Sequence, residues 1–152
     1  TGRTLILSGA GTGNLNGGLN NNGANIPALT KQGPGTWTLH APNDYTGATL
    51  ITGGTLALGL SATIAGTPTI TLQSNATFDV SALASGFEVG AGQALRGDGT
   101  INGRVNVLGV VNPGQPIGAL SFSGPLTLNG TTVMELNRSG SPRGRWAEQP
   151  RP

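Results

Sequence analysis

The sequence predicts an all-β fold wound as a parallel β-helix, a β-solenoid of about seven coils at roughly 20 residues per coil. Three observations lead there. Apolar residues alternate with Thr, Ser, Asn and Ala over short segments, the two-residue period of a strand that buries one face. Gly-Gly, Pro-Gly, Asn-Gly and Asp-Gly pairs separate the segments and supply the positive φ that tight turns need. No stretch keeps a 3.6-residue apolar period between caps, so no helix is expected.

In chain order, strands are expected over 4–8 (TLILS), 36–40 (TWTLH), 48–52 (ATLIT), 55–59 (TLALG), 69–73 (TITLQ) and 76–80 (ATFDV). Four more are expected over 104–109 (RVNVLG), 119–123 (ALSFS), 126–129 (LTLN) and 131–136 (TTVMEL). All but ATLIT have an inward apolar pair two residues apart: Leu5 and Leu7, Trp37 and Leu39, Ile70 and Leu72, Phe78 and Val80, and so on to Met134 and Leu136. A sandwich or barrel would space its turns every 8 to 12 residues, whereas turns here often follow after about five or six. Residues 9–25, GAGTGNLNGGLNNNGAN, are Gly/Asn-rich and read as an irregular coil or a loop. The solenoid is expected over 1–137, and 138–152 (RSGSPRGRWAEQPRP) as a disordered basic tail because the alternation stops there.

Composition agrees with stacked coils. Charged residues are 9% of the chain, and like charges stacked at strand spacing would repel, whereas Thr and Asn ladders are tolerated. The basic balance belongs to the tail: residues 1–137 hold Arg3, Lys31, Arg96 and Arg104 against Asp44, Asp79, Glu88, Asp98 and Glu135. A nucleic-acid partner would need a basic stripe on the folded body, and none is expected. The absence of cysteine excludes a disulfide framework and thiolate metal sites. The chain opens on Thr1 without a leader pattern or a membrane-length apolar run, so it reads as an interior stretch of a longer protein, and this segment is not expected to insert into a membrane.

Over 29–58 the residues Leu29, Lys31, Gly33, Gly35, Trp37, Leu39, Asn43, Tyr45, Gly47, Thr49, Ile51, Gly54 and Leu56 fall in register on one pattern. That pattern resembles the autotransporter-associated β-strand repeat, also called the passenger-associated transport repeat. Residues 90–137 are similar to segments that follow such repeats in large secreted bacterial proteins. The resemblance implies a right-handed parallel β-helix and a rigid stalk, presentation and export scaffold at the bacterial cell surface or outside the cell. It also implies structural roles for the motif residues. The alternative is a polysaccharide-cleaving or carbohydrate-binding β-helix. Expected partners are other copies stacked end to end into oligomers or filaments, and a surface glycan or host receptor; no cofactor is expected.

Few residues carry chemistry. Acid/base catalysis needs paired carboxylates, and Asp44, Asp79, Glu88 and Asp98 each read as lone, solvated groups. His40 is the only histidine, so a two-histidine metal site is excluded, and it reads as an outward strand residue. GAGTG at 9–13 lacks a following helix to present to phosphate, and the Gly/Asn stretch lacks the Asp of calcium-binding repeats. Arg96-Gly97-Asp98 matches an integrin-binding tripeptide and is expected in a turn. Asn75, Asn129 and Asn137 open Asn-x-Ser/Thr triplets, which matter in a glycosylating host. TWT and TIT could start a flat threonine ladder, but the triplet is irregular along the chain. Trp37 shares a face with Leu39 and is expected in the core, and Tyr45 is expected to pin the turn after Asn43 through its hydroxyl rather than to stack on sugars.

Overall fold

The structure is a computed structural model that describes residues 2–25, 27–114 and 118–134. Every strand pair is parallel, and the chain winds through three sheets. The first stacks β1 (Arg3–Leu7), β3 (Pro27–Lys31), β5 (Thr49–Ile51), β7 (Thr69–Leu72), β10 (Ala94–Gly97), β13 (Val110–Pro113) and β16 (Thr131–Thr132). The second stacks β2 (Thr12–Leu15), β4 (Thr36–Leu39), β6 (Gly54–Leu58), β8 (Ala76–Asp79), β11 (Thr100–Asn102) and β14 (Ser121–Phe122). From the fourth coil a third sheet appears, β9 (Phe87–Val89), β12 (Val105–Val107) and β15 (Leu126–Leu128). The described residues thus complete about six turns of an all-β solenoid, and β16 opens a seventh.

The two-residue period decides the core. In the second sheet Gly13, Trp37, Leu56, Phe78, Ile101 and Phe122 share one inward column. In the first, Leu5, Leu29, Thr49, Ile70, Leu95 and Val111 do the same. Val105 and Val107 complete the third side, and Phe78 meets Phe87 edge to face, centroids 5.1 Å apart. Burial of these columns is the main stabilising term, about 1.5–3 kcal/mol for each fully buried large apolar side chain.

Each expected strand within the described residues has its counterpart. The expected strand over 131–136 is present as β16 at its start, while Glu135, Leu136 and the tail 138–152 lie outside the described residues. Six strands went unexpected: β2, β3, β9, β10, β11 and β13. β2 lies inside the Gly/Asn-rich segment 9–25 and pairs with β4 along Thr12 to Leu15, the rest of that segment being irregular.

Candidate functional site

The densest polar chemistry of the interior lies in residues 29–67, where the alternation places groups inward that are not apolar. Lys31 ends β3 at an inward position between Leu7 and Ile51, and its side chain is fully buried. Its ammonium has three donors and finds three acceptors: the carbonyls of Gln32 at 3.0 Å, Gly33 at 2.9 Å and Gly53 at 2.9 Å. Burial lowers its pKa from the ordinary lysine value, while the carbonyls favour the charged form and hold the turns of two successive coils to one point. Gly54 completes this corner. Its φ is +63°, and a Cβ there would overlap the carbonyls of Gly33 and Gly35, so only glycine fits. Gly35 itself donates to the Gly9 carbonyl and accepts from Thr55, joining three coils.

Asn43 is the second clamp. Its Oδ1 accepts from Leu19 N–H at 2.8 Å, and its Nδ2 donates to the carbonyls of Ala41 at 2.7 Å and Thr63 at 3.1 Å. One buried amide thereby satisfies backbone groups in three successive coils on the side where no regular sheet has yet formed. The third clamp is a chain of hydroxyls. Thr67 donates to the Gly47 carbonyl at 2.7 Å and Thr49 donates to Thr67 at 3.1 Å, so the Tyr45 hydroxyl is the donor in its 2.6 Å bond to Thr49. This explains why Thr49 occupies an inward position between Leu29 and Ile70. Burial pushes the Tyr45 phenol up to about 12, partly opposed by Thr49, whose hydroxyl can turn to donate to a phenolate. Gly47 sits where a Cβ would overlap the Pro27 carbonyl, which lets this segment approach the preceding coil.

The remaining motif residues pack. Leu39 and Leu56 are fully buried. Trp37 lies at the inward register but only half-buried, because its partner in the first coil is Gly13; the indole covers that glycine and donates to the Ser8 carbonyl at 3.0 Å. Tyr45 is in the core, and its hydroxyl reaches Thr49 rather than turn backbone.

Two clamp members carried no signal in the sequence. Thr67 is one, and Gln93 is the other, its Nε2 donating to the carbonyls of Ile64 at 3.0 Å and Thr67 at 2.8 Å while Oε1 accepts from Gly90 N–H at 2.9 Å. A buried Gln in a Gly-rich turn looks in sequence like any exposed one.

Outside the core, each candidate carboxylate is engaged locally. Asp44 accepts from Asn21 N–H, Asp79 from Ser81 N–H and the Asn102 amide, Glu88 from Asn106 and Asp98 from Ser74. His40 is exposed beside Asn14, with Nε2 3.1 Å from its Oδ1. Among the described residues no group of three or more His, Asp or Glu could hold a metal ion. The Arg96-Gly97-Asp98 tripeptide is not wholly in a turn, as expected. Arg96 and Gly97 end β10 in register with Asn112 and Pro113, and only Asp98 enters the turn. Gly97, with φ +107°, lies against Leu72 of the preceding coil.

The two triplets TWT and TIT fall on different sheets. A single outward column in the second sheet is nevertheless regular: Thr12, Thr36, Thr55, Thr77, Thr100 and Ser121. Two clefts, of 460 and 550 Å³, flank the exposed loop at Leu60 and Ser61; the second also takes in His40, Asp79 and Ser81.

The fold and its clamps define a β-solenoid repeat protein in which the sequence motif is written by packing and backbone satisfaction. Residues 29–58 match the family model of the passenger-associated transport repeat, so the chain carries a repeat of autotransporter passengers. No curated protein and no solved structure matches the chain.

Proposed function

We propose that the chain is a rigid scaffold section of an exported passenger, serving at the cell surface or outside the cell as a stalk that presents other modules and whose coil-by-coil folding assists export. The observation that carries this reading is the clamp of Lys31, Asn43, Tyr45 and Thr49 inside the matched repeat, with Thr67 of the next coil closing the hydroxyl chain. Its polar groups are spent on backbone atoms of neighbouring coils. Side chains used that way stiffen a rod.

The test is surface display. The chain is placed between a secretion signal with a reporter and an outer-membrane barrel, and reporter exposure on intact cells is read by protease. Leu72→Asp, which puts a carboxylate at a fully buried position, is expected to abolish presentation, while Asp98→Ala leaves it unchanged. Equal presentation by both variants would overturn the scaffold reading. End-to-end stacking of copies belongs to the same proposal. β14 and β15 end their sheets in the sixth coil and β16 opens the next, and Leu126, Leu128, Val133 and Met134 there are exposed, an edge suited to pairing with another chain. Oligomers that grow with concentration in sedimentation support stacking, and a strict monomer opposes it.

A further inference from the structure

We propose that Asn75 is an asparagine glycosylation acceptor for an activated sugar whose leaving group is a pyrophosphate. The sequence offers three Asn-x-Ser/Thr triplets, at Asn75, Asn129 and Asn137, and nothing in it ranks them. The structure distinguishes the two it describes.

Asn75 stands at the third position of the turn joining β7 to β8, closed by Ala76 N–H donating to the Gln73 carbonyl at 3.0 Å. Its φ is +66°, and it is the one non-glycine residue with positive φ among those described. Asparagine tolerates this left-handed conformation better than most residues, so the turn keeps its Asn on conformational grounds while projecting it. The residue is exposed, and no hydrogen bond among the described residues engages its carboxamide. The flanks are fixed: Ser74 donates to Asp98 at 2.7 Å, and Gln73 N–H donates to the Ile51 carbonyl at 2.8 Å. Thr77, two residues on, opens the outward face of β8, its register partners being Thr55 and Thr100. Asn129 differs at the atom that matters, because its Nδ2 already donates to Asn106 Oδ1 at 3.0 Å, within a ladder that continues to Glu88.

In the transfer, the Asn75 amide nitrogen forms a bond to the anomeric carbon, and the bond from that carbon to the pyrophosphate oxygen breaks. The electron pair leaves with the nucleoside diphosphate or lipid pyrophosphate, and one amide proton passes to a base of the transferase. The acceptor must present a free carboxamide and a hydroxyl two residues on. Asn75 meets both conditions, and Asn129 fails the first.

The folded chain, in an Asn137→Gln background, is incubated with a soluble asparagine glycosyltransferase and UDP-glucose. In parallel it is given an oligosaccharyltransferase with lipid-linked sugar, which separates the two donor sources. Intact mass and peptide mapping are expected to show one glycan per chain on the peptide containing Asn75, from at least one donor. Asn75→Gln and Thr77→Ala should remove it, while Thr77→Ser and Asn129→Gln should retain it. Transfer to Asn129 in the folded chain would overturn the assignment. So would transfer to Asn75 only after heat unfolding, or no transfer to either state.

Discussion

At the residue scale, Tyr45 offers the cleanest measurement, because it is the only tyrosine in the chain. Its folded-state pKa is raised above the unfolded value, so it stabilises the fold fully below about pH 10, and that contribution is lost as pH rises through about 12. Two pK units correspond to roughly 2–3 kcal/mol. Tyrosinate absorbance is expected to appear with a midpoint near 12, or abruptly with unfolding; smooth titration near 10 would mean that the phenol is solvated. Lys31 runs the other way. Its lowered pKa makes burial of the ammonium a cost at neutral pH that eases as pH climbs toward the ordinary lysine value. The three carbonyls nevertheless need a donor, so Lys31→Met should destabilise by about 1–3 kcal/mol in denaturant melts. Asn43→Ala strands the half-buried Leu19 N–H and the Ala41 carbonyl, while the Thr63 carbonyl keeps its bond from the Asn43 backbone N–H, and should cost about 1–3 kcal/mol on the same grounds. A neutral result at either position would remove it from the clamp.

At the element scale, what could be read in the sequence follows how plainly a segment alternates. Segments such as TWTL and TITL show their period on their own, whereas β9 and β11 span three residues each and carry too little of it. Val105 and Val107 betrayed β12 because both are β-branched; Phe-Glu-Val and Thr-Ile-Asn did not stand out, and they are strands because neighbouring coils pair with them. β3 was hidden because its inward residues are Leu29 and Lys31, and a lysine breaks the apolar alternation. The threonine column was hidden by spacing: its members stand 24, 19, 22, 23 and 21 residues apart, so no fixed period reveals it. The motif residues were legible as structural, but not which atom each one holds. A contrast between a buried strand residue and an exposed turn residue of the next coil tests the inward assignment. Leu72→Asp should cost several kcal/mol and lower the melting temperature by well over 10 °C, while Asp98→Ala, losing one exposed bond, should shift it within about 0.5 kcal/mol. A reversed order would refute the register of the first sheet.

At the scale of the whole molecule, a solenoid is nearly one-dimensional, each coil contacting only its neighbours, so local stability follows local core content. That content is uneven. The first coil contributes Leu7 alone to the buried apolar set, and beyond residue 110 only Val111 belongs to it. Between them the core is densely filled by Ile51, Leu56, Ile70, Phe78, Leu95, Ile101 and Val107, with a third wall from the fourth coil on. The clamp of Lys31, Asn43 and Tyr45 lies before the third sheet begins, and its Asn43 arm ties the poorly filled first coil, through the second, to this section. Hydrogen exchange should therefore be slowest, and should rise together, for backbone amides of β5 to β12, with β1, β2 and β14 to β16 exchanging through local opening at far lower free energy. Asn43→Ala should extend the fast-exchanging region into β3 and β4 while leaving β10 to β12 protected, because the lost bonds lie between the first three coils. Uniform protection along the chain, or loss of protection in β10 to β12 on Asn43→Ala, would show that the rod unfolds as one unit and that the clamp is not the joint between its two parts.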